Sequence, residues 1–98
     1  MNKTFKLNQA ILAHNETINE LTLREMTVSD LRRVKTLPYA IKEDGSLTIN
    51  TEIMAQLISR IANIPNSSVE SMAIKDFSFL CYEIVSFLAS EASEISMN

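Results

Sequence analysis

Chemistry in a chain of 98 residues requires reactive side chains brought together, and the candidates here are few. His14 is the only histidine and Cys81 the only cysteine. His14 stands in the polar group His14-Asn15-Glu16-Thr17, where no Ser, Cys or acid is arranged to form a relay with it, so it reads as a turn residue rather than a general base. Cys81 falls inside an apolar helical pattern, the usual setting of a small buried hydrophobe rather than a nucleophile. One cysteine forms no internal disulfide, and no Cys/His cluster has the spacing of a zinc site. Asp30 and Asp76 each stand at the start of a helical pattern, where capping and the helix dipole account for a carboxylate without general acid–base work. A single glycine is too few for a P-loop or any glycine-rich phosphate cradle. The residues therefore assign no catalytic, cofactor-binding or metal site, and the chain is expected not to be an enzyme.

Arg32-Arg33-x-Lys35 is the one cluster of cations. A helix-turn-helix would offer such a cluster to DNA, but its recognition helix would carry base-reading polar side chains at its N-terminal end, where this segment has Val28 and Leu31. The net charge of −3 does not favour a polyphosphate partner, and three charges on a short helix are ordinarily a solvated face. No nucleic acid is expected. No membrane is expected either: no window approaches a transmembrane span, and the apolar run Ala10–Ala13 is too short for a signal-peptide core.

The elements that must carry these residues are legible from periodicity. Composition is that of a globular domain, 46% hydrophobic and 21% charged. Phe5 and Leu7 alternate with Lys6 and Asn8. From Ile18 to Arg24 the chain alternates again, with Leu21 and Leu23 on one face and Glu20 and Thr22 on the other. Two strands across a short polar turn predict an antiparallel hairpin over residues 3–25. Thr27-Val28-Ser29-Asp30 then sets a hydroxyl at an N-cap and a carboxylate at N3, the start of a short helix over 27–37 that stops before Leu37-Pro38. Residues 38–50 read as a surface excursion, with Asp44-Gly45-Ser46 as a tight turn across which Ile41 and Leu47–Ile49 pair briefly.

Asn50 caps a helix over 51–63 whose inner stripe is Ile53, Leu57, Ile61 and Ile64, widened by Met54 and Ile58, and Pro65 ends that element. Ser67-Ser68-Val69-Glu70 has the capping-box pattern of a short helical turn. A final helix from about Ile74 to Ser90 carries Phe77, Leu80, Cys81, Ile84, Val85, Phe87 and Leu88 on a broad apolar arc. Residues 91–98 are small and polar and are expected to fray. The expectation is a single α+β domain over 1–98, with an N-terminal antiparallel β-hairpin packed on three to four α-helices and a mostly helical C-terminal half over 51–90.

One feature of the last helix exceeds what a core needs. Phe79 and Tyr82 project about 200° and 140° from Phe77, on the side away from the apolar stripe. Aromatics there are either covered by another element or exposed for a partner. Together with Met54 and Ile58 they predict a partner-binding surface, of the kind a helix lies against in a groove.

The ordered run Ile-x-Glu-Leu-Thr-Leu-Arg-Glu-x-Thr-x-x-Asp-Leu, Ile18 to Leu31, resembles the phage tail assembly chaperones of Mu-like and related contractile-tailed phages, the E-protein family. Leu21, Leu23, Arg24, Thr27, Asp30 and Leu31 carry this first segment. Ile64-Pro65 and Met72-Ala73-Ile74-Lys75-Asp76-Phe77 carry the second, with Pro65, Asp76 and Phe77 at the family's positions. The resemblance spans roughly Phe5–Leu37 and Ile53–Leu88 and leaves Tyr39–Ile49 unmatched. Met26 and Ala10 stand where proline is frequent, Asn63 replaces a common glycine, and Ala73 replaces a capping Thr, which would let the short helix merge with the long one.

The resemblance implies a non-catalytic, ATP-independent chaperone that binds and shields the tape measure protein in the cytoplasm of the bacterial host and is not expected in the mature virion. It also implies a possible homo-oligomer or a longer frameshift product. The alternatives are a small prophage-encoded DNA-binding regulator and a structural tail or adaptor subunit.

Overall fold

The computed structural model describes the backbone of residues 2–96 and the side chains of residues 2–89. Two strands, β1 (Lys3–Ala13) and β2 (Glu16–Leu23), form an antiparallel hairpin. Four helices follow: α1 (Val28–Val34), α2 (Thr51–Ala62), α3 (Asn66–Glu70) and α4 (Ile74–Ser96). A second small hairpin, β3 (Tyr39–Ile41) with β4 (Leu47–Ile49), is inserted between α1 and α2. The architecture is α+β, as the alternation and the capping signals predicted.

The first hairpin closes through His14 and Asn15, both at positive φ (53° and 64°), the pair of left-handed residues a two-residue type I′ turn demands. Neither is glycine. The His14 ring is held by the hairpin's packing partner, its Nε2 lying 3.1 Å from the Asn63 carbonyl.

Pairing then runs Ala13↔Glu16 to Ile11↔Ile18, breaks, and resumes from Lys6↔Glu20 to Lys3↔Leu23. Between the two runs β1 spends Leu7, Asn8, Gln9 and Ala10 where β2 spends Asn19 alone, a bulge of three extra residues. An odd excess shifts the side-chain parity of β2. Ile18, out of step with Leu21 and Leu23 in simple alternation, is thereby brought opposite Ile11 and packs against the core.

The inner face of the hairpin (Leu7, Ile11, Ala13, Leu21, Leu23) meets α2 and α4 in one apolar core with Met54, Leu57, Ile58, Ile61, Leu80, Cys81, Ile84 and Val85. Asn50 caps α2, its side chain accepting from the Ile53 N–H at 3.2 Å. The helix ends at Asn63 in the left-handed region, at φ 55°, a helix-ending conformation that asparagine tolerates better than most side chains. Hydrogen bonds at three further points fasten the hairpin to the helices. The Arg24 N–H donates to the Ile61 carbonyl at 3.0 Å. The buried Ser68 hydroxyl donates to the Leu12 carbonyl at 2.6 Å. The Asp76 carboxylate takes the N–H groups that the bulge frees, Asn8 at 2.9 and 3.0 Å and Gln9 at 3.2 Å, and the Asn8 side-chain amide at 2.7 Å.

Asp30 is the second buried carboxylate, 1% exposed. It forms the capping box with Thr27, accepting the Thr27 N–H at 2.9 Å. It also receives both terminal nitrogens of Arg24 (2.9 and 2.6 Å) and Nε of Arg60 at 3.0 Å. Strand end, helix start and α2 thus converge on one side chain. The Arg24 hydrogen bonds hold its carboxyl far below the usual range, against the opposing effect of burial, with Thr27 and Arg60 adding to the depression. At Asp76 burial is the largest influence and pushes upward, but the hydrogen bonds from Asn8 and Gln9 together outweigh it and the net direction is down.

Several expectations need correction. Capping alone does not account for Asp30 and Asp76, because both spend most of their oxygens on strand-side and α2 partners. α3 begins at Asn66 behind Pro65, so Ser67 lies inside the helix instead of capping it, and Ser68 bonds to β1. Ser71–Ala73 separate α3 from α4, so the Ala73 change has not merged them. α1 ends at Val34, with Lys35 left-handed at φ 74°. At the head of α1 Val28 is exposed, while Leu31 is half-buried and Val34 buried. The expected fraying of 91–98 is met by helix through Ser96; residues 97 and 98 lie outside the described residues.

Two measurements check this account. Lys35→Gly removes a left-handed penalty and is expected to raise stability by about 1 kcal/mol, read as a higher denaturant midpoint at unchanged m-value. Asp30 and Asp76 both titrate below their unfolded value of about 3.9, so the unfolded chain binds more protons as acid is added. Their contribution is complete above about pH 5 and is lost as the pH falls below about 4. Asp30→Asn is expected to cost about 2–3 kcal/mol at neutral pH, less than a fully buried pair because both guanidiniums are partly exposed, and to flatten the acid limb of a stability–pH curve.

Candidate functional site

The partner surface proposed by the sequence rests on four residues, and the structure divides them. Met54 and Ile58 are fully buried, at 0% exposure, and have no surface to offer. The reason is the position of α2, which is packed by the hairpin on one side and by α1 and α3 on others. Its widened apolar arc is the width of a central helix, not a surplus left for a partner. Phe79 and Tyr82 are exposed, at 52% and 68%.

They sit on the outer side of α4 because Leu80, Cys81, Ile84 and Val85 turn inward. Residues three and four apart share a helix face, so Phe79, Tyr82, Glu83 and Phe87 form one outward seam. Phe87 was expected on the core arc but is 42% exposed, a correction that enlarges the surface. Phe77 and Leu88, at the margins of that arc, are half-buried.

The seam is braced from the hairpin. The Phe5 ring meets Phe79 edge-on, with centroids 5.6 Å apart and planes at 71°. Lys3 Nζ lies 5.9 Å from the centroid of Phe5 and 3.3 Å from a Glu83 carboxylate oxygen. This exposed ion pair contributes little energy but frames the surface. Beside it the open end of the hairpin and α4 enclose a groove of about 160 Å³, its apolar lining supplied by Phe5, Leu23, Met26, Ile61, Ile84 and Phe87. The surface is thus a row of aromatics on a rigid helix with an apolar groove at one edge. Its chemistry is the burial of apolar side chains.

Sequence reasoning missed Phe5 and Phe87. Phe5 carried a signal, since a strand-borne aromatic opposite Leu21 must lie on the hairpin's helix-facing side. Phe87 carried none that separates it from the core arc.

Of the motif residues, Leu23 and Arg24 line the groove, and the others lie in the core and at its joints. Leu21 and Leu23 are buried, Arg24, Thr27 and Asp30 make the hub described above, and Asp76 anchors the bulge. Pro65 precedes α3 as its N-cap. Cys81 is buried and its thiol is pushed up to about 11 by desolvation, which disfavours the reactive thiolate. His14 is engaged with the Asn63 carbonyl at the hairpin turn. Among the described residues no group of three or more His, Cys, Asp or Glu is placed to hold a metal ion. No helix among them is long and apolar enough to cross a membrane.

Neither the curated proteins nor the solved structures contain a significant relative of the chain. A family model described as phage tail assembly chaperone proteins, E, or 41 or 14, matches residues 4–89, which takes in both hairpins, α1 to α3 and most of α4. The chain belongs to this family of phage tail assembly chaperones.

Proposed function

We propose that the protein binds and shields the tape measure protein during tail assembly, through the outer face of α4, without catalysis and without ATP. The observation that carries the reading is the seam Phe79, Tyr82 and Phe87, exposed on a helix whose opposite face is fully used by the core. Such a surface suits a client that presents its own apolar helical side chains before it is enclosed. Aromatics are the side chains that concentrate binding energy at protein interfaces, and the adjoining groove is of a size to take one apolar side chain of the client. Membership in a family of phage tail assembly chaperones supports a protein client from tail assembly, and in this reading the protein meets it in the host cytoplasm. The protein would act there and leave before the virion is complete.

Met54 and Ile58 drop out of this proposal, and Phe5 and Phe87 enter it. A DNA-binding regulator is not favoured: α1, which carries Arg32 and Arg33 and is followed by Lys35, has seven residues and opens on an exposed Val28, not on base-reading polar groups.

The test is co-expression with the tape measure protein. Tyr82→Ser and Phe79→Ser/Tyr82→Ser are expected to reduce co-purification tenfold or more. Tyr82→Ser alone should leave the melting temperature unchanged, because the ring is largely in solvent; the double variant loses the Phe5 contact and should be slightly less stable. Full co-purification by both variants would remove this face as the client site.

A further inference from the structure

β1 borders the aromatic seam of α4 through three contacts that run in opposite chain directions. Asp76 accepts from Asn8 and Gln9, Phe79 meets Phe5, and Glu83 pairs with Lys3. On α4 these residues are three and then four apart, so they share one stripe of the helix, and Phe87 stands one turn further on. The first half of β1 therefore flanks the seam along one side.

The three contacts differ in what they can fix. An exposed ion pair and an edge-on ring contact tolerate small shifts. Leu80, Ile84 and Val85 decide which face of α4 turns inward, but apolar burial is non-directional. Hydrogen bonds are directional, and the Asp76 carboxylate, 3% exposed, accepts from the backbone N–H groups of Asn8 and Gln9 and from the Asn8 side-chain amide. Successive residues of a regular strand turn their N–H groups to opposite edges, so a regular β1 could not give both amides to one carboxylate. The bulge is what lets Asn8 and Gln9 converge on Asp76.

We propose that Asp76, held by Asn8 and Gln9, is a positioning residue for the client surface. It sets the placement of α4 against β1, and through it the orientation of Phe79 on Phe5 and the width of the groove between Phe5 and Phe87. Being buried, it does not touch the client itself. The inference rests on the reading of the outer face of α4 as the client site. With the carboxylate in place the seam is presented in one arrangement, and little ordering remains to be done on binding. Without it the apolar core still forms, but the seam samples several placements. Only a fraction of molecules is then competent, and apparent affinity falls by that fraction.

The experiment is Asp76→Asn, which keeps the size and one acceptor but puts an NH₂ group where the bulge needs the other. On the purified protein the Asn8 and Gln9 amides are expected to lose hydrogen-exchange protection and the Phe79 ring signals to shift, while the amides of α2 stay protected. On co-expression, retention of the tape measure protein is expected to fall about fivefold or more. In the Phe79→Ser/Tyr82→Ser background the same substitution is expected to cause no further loss, because the surface it positions is gone. A merely stabilising role would lower retention by the same factor in both backgrounds. Asn8→Ala removes only the side-chain bond of 2.7 Å and keeps both backbone donors. It is the milder variant should Asp76→Asn fail to fold, and is expected to lower retention in the same direction by a smaller factor.

The positioning role is overturned, with the client site left standing, by unchanged retention in folded Asp76→Asn. The same holds for unchanged retention in Asn8→Ala where Asp76→Asn does not fold, or for equal losses in both backgrounds. Full retention by Phe79→Ser/Tyr82→Ser is a different failure, which removes the client reading and this inference with it.

Discussion

The Asp30 carboxylate accepts hydrogen bonds from Arg24 at the end of β2, from Arg60 on α2 and from the Thr27 amide at the start of α1. Three elements are oriented by one side chain. A carboxylate 1% exposed to solvent is costly unless its oxygens are occupied by charged or amide donors, and here they are. The same arrangement recurs at Asp76, where a carboxylate in the first turn of α4 accepts the amides that a β-bulge would otherwise leave without partners. Two acidic residues, each at a helix start, thus join the β part of the fold to the helical part. Burial of the shared apolar core, which includes Leu21, Leu23, Ile61 and Ile84, drives the joining of the two parts, and the carboxylates fix its geometry.

Functional consequences follow from what the junction leaves outside. With the hairpin covering one side of α2 and α4, and α1 and α3 covering the rest of α2, the largest aromatic surface remaining is the outer face of α4. That surface stands on a helix whose first turn is anchored through Asp76 and whose Phe79 is braced by Phe5, so it is presented in a fixed orientation. A preformed apolar surface loses little conformational entropy on binding. A modest exposed seam of this kind suits the reversible contact that the proposed client reading calls for.

The elements were legible in the sequence where one local pattern decided them. Leu21 and Leu23 alternate with Glu20 and Thr22, Asn50 precedes an amphipathic run, and proline or glycine marks the breaks. What remained hidden depended on residues far apart in the chain. Arg24 and Asp30 are close enough to suggest a pair, but Arg60 lies thirty positions beyond Asp30. The bulge that turns Ile18 inward is paired with Asp76, sixty-eight positions from Asn8, and neither residue alone announces it.

The candidate site was half legible for the same reason. Helical geometry put Phe79 and Tyr82 outside the stripe, which is a local fact. Whether Met54, Ile58 and Phe87 are covered depends on where other elements pack: α2 proved central, so Met54 and Ile58 are core, and α4 proved peripheral, so Phe87 is surface. The family resemblance read from Ile18–Leu31 rests on residues of the Asp30 hub, which identify the chain because they build its fold.

The central claim, that the outer face of α4 meets the client while the motif region is scaffold, is tested most directly by site-specific crosslinking. A photoreactive phenylalanine analogue replaces Tyr82 in one sample and Thr22, on the outer face of β2, in another, each co-expressed with the tape measure protein. The expected result is a covalent adduct to the client from position 82 and none from position 22. An adduct from position 22 with none from position 82 would contradict the account and move the binding surface to the hairpin.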